Sequence, residues 1–162
     1  MSGEGSASVE VQRRRLSRSA LWHAVAVAIF GLLAWSGTDG IRQGVDGLAV
    51  PFLILGVAGS LGSLVIVVTV MRWRAGLARP AAAAPSGRAA VLAQGVARWS
   101  MAAAAVVAVG VGVALAPTGM DRGFVISVDV VLAGALALFA LLAGGALGAV
   151  RHPGLTQGRS ID

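Results

Sequence analysis

The sequence predicts an all-α integral membrane protein, a bundle of four transmembrane helices with both termini in the cytoplasm. Three observations predict it. The 162-residue chain is 57% hydrophobic and only 12% charged, too apolar for an ordinary soluble domain of this size. The apolar residues gather into four runs, each long enough to cross a bilayer core of about 30 Å. The basic residues, all 13 of them arginine, collect at the ends of those runs, as they do in membrane proteins.

The chain opens with a basic segment, 1–19, that reads as disordered and carries Arg13, Arg14, Arg15 and Arg18. Four helices then make up a transmembrane domain over 20–150. The first is "ALWHAVAVAIFGLLAWS", 20–36. With "QRRRLSRSA" before it, this run resembles a secretory signal, and "AWSG" resembles a cleavage site. It is long for a signal and three further apolar runs follow, so it is read as a span. The second helix covers 48–71, with Pro51 expected in its first turn, where a missing N–H costs nothing.

A cytoplasmic loop, 72–99, follows. It contains "RPAAAAPSG", 79–87, a linker by composition. "RAAVLAQGVARWS" then forms either a short interfacial helix, with Val91, Leu92 and Trp99 against lipid, or an extension of the third span. The third helix covers 100–116 and is stopped by Pro117. The fourth covers 124–150, and a cytoplasmic tail, 151–162, ends the chain. At 1.5 Å per residue the four reach about 25, 36, 25 and 40 Å.

Charge sets the expected direction. The N-terminal segment, the middle loop (Arg72, Arg74, Arg79, Arg88, Arg98) and the tail (Arg151, Arg159) hold every arginine except Arg42 and Arg122. The positive-inside rule puts those three regions in the cytoplasm and segments 37–47 and 117–123 outside. Trp22, Trp35, Trp73 and Trp99 fall at the expected water–lipid boundaries. His23 is expected among headgroups beside Trp22. "LAWSGTD" (33–39) and "LAPTGMD" (115–121) match at four positions. They suggest two copies of a hairpin, each with a helix end opening an outer loop, against the alternative that abundant Ala, Leu and Gly match by chance.

Without hydrophobic drive between helices in lipid, small residues must let them approach. Gly56 with Ser60, Gly59 with Ser63, and Gly144 with Gly148 are each four apart, on one helix face. Asp129 continues the stripe Ala133, Ala137, Ala140, Gly144 and Gly148, so it is expected to face a helix contact. It is either a near-interface residue, bonded to a helix end or paired with Arg42 or Arg122, or a proton or cation site. Asp39, Asp46 and Asp121 share the outer face with it, without the spacing of a calcium loop.

The functional expectation follows from the same residues. There is no cysteine, which excludes disulfides, thiolate metal sites and cysteine nucleophiles. The net charge of +6 is no nucleic-acid footprint, because the arginines form no reading face. No catalytic, cofactor or metal site is expected. The chain reads as a small plasma- or inner-membrane protein, a non-enzymatic accessory or interaction component. Its partners would be the lipid bilayer and a larger membrane protein or a second copy of itself. The alternative is a small proton- or cation-coupled transporter or channel using Asp129.

Overall fold

A computed structural model describes residues 3–76, 87–119 and 121–151. It is all-helical: α1 (Gly3–Arg42), α2 (Asp46–Gly76), α3 (Gly87–Leu115) and α4 (Asp121–Arg151). Each helix is long and apolar enough to span a membrane, the qualifying stretches being Leu16–Arg42, Asp46–Ala75, Ala89–Leu115 and Asp121–Gly144.

Every helix is longer than hydropathy alone marks out. Residues 3–19, expected without structure, continue α1 as helix. No proline lies between Gly3 and Ala20, and Glu, Gln, Arg and Leu extend a helix readily. The stretch 87–99 resolves the two alternatives above: it lengthens α3 without interruption. The linker narrows accordingly, and most of it, like the tail from 152, lies outside the described residues.

Pro51 is also placed differently from the expectation. Because α2 starts at Asp46, Pro51 falls inside the helix. It removes the N–H that would bond the Gly47 carbonyl four residues back.

The α1–α2 connection is a Schellman turn. Gly44 takes φ 77°, its N–H donates to the Ile41 carbonyl at 3.1 Å, and the Val45 N–H reaches the Gly40 carbonyl at 2.9 Å. Only glycine enters that left-handed conformation without steric cost. Asp46 and Asp121 stand in the first turns of α2 and α4 and Arg42 in the last turn of α1, each complementing its helix dipole.

These ends separate the two stretches that looked duplicated. "LAWSGTD" lies wholly within α1, where Gly37 is buried against the Ala49 and Leu53 backbone of α2. In "LAPTGMD", Gly119 is a turn residue with φ 129°. The first stretch therefore opens no loop, and the matched glycines do different jobs.

Consecutive helices pack antiparallel. α2, α3 and α4 touch one another, and α1 lies along α2 and meets α4 at one edge. More of α2 is buried than of any other helix. The α1–α2 contact is close because Gly56 and Gly59 lack side chains: a Cβ on Gly56 would collide with the Ala34 backbone, and one on Gly59 with the Phe30 ring. Between α2 and α3, Gly62 accommodates Met101. Ser60 Oγ donates to the Val27 carbonyl at 3.5 Å, so α1 and α2 also share a polar contact.

The core is narrow and apolar, with Leu55, Ile66, Met101, Ala108 and Leu136 fully enclosed. The outside is apolar too. Trp22, Trp35 and Trp99 are mainly exposed, as are Leu32, Val106, Val131 and Leu141 on all sides of the bundle. Thr38, Thr69 and Ser127 turn their hydroxyls back onto carbonyls four residues earlier, at 2.9, 2.6 and 2.7 Å. That satisfies their O–H groups without water.

Candidate functional site

The centre of interest is a carboxylate. α4 buries one side at Val125, Asp129, Ala133, Leu136, Ala140 and Ala143, spaced three or four apart as a single helix face requires. Asp129 is on that side because its register matches the apolar residues, and it is 1% exposed. Facing it across the helix contact is Gly112 of α3, where a Cβ would collide with Asp129 Oδ2 and crowd its Cγ. α3 brings Gly112 there by the same periodicity, through Ala97, Met101, Ala105, Ala108 and Gly112. The missing side chain of one helix makes the space for the carboxylate of the next.

Among the described residues, neither oxygen of Asp129 has a hydrogen-bond partner. The expected pairing with Arg42 or Arg122 is therefore corrected: both arginines are exposed. Arg122 sits seven residues before Asp129, about 10.5 Å along the helix, too far for its side chain to return. The other acids of that end are exposed as well, and Asp39 accepts a hydrogen bond from Gln43 Nε2 at 2.6 Å. Among the described residues, no three potential metal ligands come together.

At the opposite end of the bundle, His23 is also placed differently from the expectation. It is 1% exposed and so stands inside the bundle, not among headgroups. Its neighbour Trp22 is 62% exposed, because one residue is a rotation of about 100° around the helix. His23 shares its inward face with Ala26 and Phe30. Its Nδ1 bonds the Ser19 carbonyl at 2.8 Å, and Nε2 has no partner among the described residues. The ring meets Phe139 edge-on at 6.1 Å, and Phe139 meets Phe30 at 5.9 Å. This aromatic ladder closes the α1–α4 edge. Periodicity could have found it, since positions 23, 26 and 30 share a face.

The small residues singled out in the sequence are distributed over different contacts. Gly56, Gly59 and Ser60 face α1, and Ser63 is fully buried with its Oγ unpartnered. Gly144 does not bring two backbones together. It forms a notch that holds the Arg98 guanidinium of α3, which also lies 5.9 Å from the Trp99 ring centre. Gly148 belongs to the last turns of α4, where only the backbone is described.

The buried polar groups do not form one site. Phe139, against which His23 packs, is ten residues from Asp129, about 15 Å along α4. Leu55, Ala105, Ala108, Ala133 and Leu136 fill the interior between Asp129 and the His23–Ser63 end. Comparison with protein-family models, with curated proteins and with solved structures returned no match, so the residues alone carry the functional argument.

Proposed function

We propose that this chain is a multi-pass protein of the plasma or inner membrane, and that it works as a non-enzymatic accessory or interaction component. In this reading its four helices cross the bilayer with both termini and the α2–α3 connection in the cytoplasm. Arginine distribution supports that direction. The apolar exterior supports lipid as the surrounding medium, because patches of this extent are rare on soluble monomers.

The observation that carries the interaction reading is the packed apolar layer between Asp129 and the His23–Ser63 end. A conduit for ions or polar solutes needs polar groups or water along its length. Here a packed apolar layer stands in the way. The surface suited to a partner is the face α1 turns away from α2. There Leu21, Val25, Ile29 and Leu32 are exposed, and Ala24 and Ala28 between them leave room for another helix.

A second reading, a proton- or cation-coupled transporter, is favoured by one observation, the unpartnered buried carboxylate of Asp129. Asp129→Asn separates the two. The interaction reading expects proton-driven flux in reconstituted vesicles to be the same for wild type and variant, with any change confined to helix assembly in detergent. Flux that is present in the wild type and lost in a well-assembled variant would establish transport instead.

A further inference from the structure

Between α2 and α3, at the arginine-rich end, lies an open groove of about 330 Å³. Its walls are graded along the helices. Val68 and Thr69 of α2 stand opposite Ala93 of α3 at the deeper end, and Arg72 and Trp73 stand opposite Ala89 at the outer end. The register follows from the Gly62–Met101 contact of the same two helices. Thr69 commits its hydroxyl hydrogen to the Val65 carbonyl at 2.6 Å, so the deep end offers no free donor. Alanines on the α3 side keep the groove open, because larger residues at 89 and 93 would fill it.

The basic end is as distinctive. Arg72 is exposed and makes no ion pair or hydrogen bond among the described residues. Trp73 beside it is half-buried against the core, with its amphipathic ring at the level where headgroups meet hydrocarbon. An apolar slot that opens onto an unpaired guanidinium and an indole has the polarity profile of a phospholipid, chain inward and phosphate outward. Basic pockets between helices on the cytoplasmic side are where anionic headgroups bind.

We infer that this groove is a binding site for one anionic phospholipid. Arg72 takes the phosphate, Trp73 lies at the headgroup, and an acyl chain runs along Val68 and Ala93. Charge complementarity favours this occupant: a zwitterionic lipid brings a cation beside its phosphate, which weakens its pull on Arg72, and an apolar helix offers the guanidinium nothing. The inference rests on the membrane reading given above.

The test uses the full chain reconstituted in vesicles of phosphatidylcholine with or without phosphatidylglycerol, followed by mass spectrometry of lipid retained after gentle detergent extraction. Wild type is expected to retain phosphatidylglycerol in preference to phosphatidylcholine. Arg72→Gln should lower phosphatidylglycerol retention about fivefold, the effect of one arginine at an anionic surface, and Arg74→Gln, outside the groove, should not. Ala93→Leu should displace the lipid by filling the apolar end, and it serves as the second variant if Arg72→Gln folds poorly.

Equal retention by wild type and Arg72→Gln, or retention undiminished in Ala93→Leu, overturns the inference. The latter result would place the retained lipid elsewhere on the protein. Flotation of wild type with phosphatidylcholine vesicles alone reads membrane insertion separately. A chain that floats without preferring the anionic lipid defeats the groove and leaves the membrane reading standing.

Discussion

Asp129 and Gly112 act as one steric unit, and their coupling is measurable. Gly112→Ala places a methyl where the carboxylate sits, and overpacking of this kind costs about 1–3 kcal/mol. Gly112→Ala combined with Asp129→Ala should recover much of that loss, because the second change vacates the contested space. In a double-mutant cycle read by unfolding in detergent, a coupling of about 0.5–3 kcal/mol is expected for residues in contact. Strict additivity would mean that the two do not meet. Half of this unit was legible in the sequence. The α4 stripe turns Asp129 inward on periodicity alone, and Ala104, Ala108 and Gly112 mark a small-residue face on α3, but that the two meet depends on how α3 slides against α4. His23 shows the opposite failure. Its inward face is readable from positions 23, 26 and 30, whereas the neighbouring Trp22, a residue type that favours the interface, points outward.

At the scale of elements, glycine has two opposite meanings that the sequence cannot tell apart. Gly56 lies against the Ala34 backbone, whereas a Cβ on Gly95 of α3 would meet nothing within 4 Å. Gly56→Ala should therefore push α1 from α2 and destabilise the bundle by about 1–3 kcal/mol, since backbone cannot rotate out of the way as a side chain can. Gly95→Ala should stabilise it by about 0.4–1 kcal/mol, through a less flexible unfolded chain. Chemical or detergent unfolding of the two single variants checks both signs. Helix existence was legible because each apolar run exceeds what a buried soluble helix needs. Helix ends were not, because continuation past the apolar run turns on the absence of proline rather than on hydropathy. That is why 3–19 and 87–99 are helical; Pro51 ends up inside α2 because the helix starts five residues before it, at Asp46.

For the whole molecule, the proposed threading makes a sharp prediction, and the chain is well suited to it because it has no native cysteine. Single cysteines at Gln43 and Thr118, exposed at the α1–α2 and α3–α4 connections, should react with an impermeant maleimide on intact cells. Cysteines at Arg18 and Arg74 should react only after permeabilisation, and the reverse pattern would invert the topology. The uneven packing of the bundle bears on how such a chain is made. α1 lies along α2, its immediate successor, and meets α4 more sparsely, at an edge that includes Phe30, Phe139 and His23. A ribosome releasing the polypeptide from its amino end thus delivers a hairpin whose main tertiary contact is already complete. The later pair can dock onto it afterwards, so biogenesis need not hold the first helix waiting for the last.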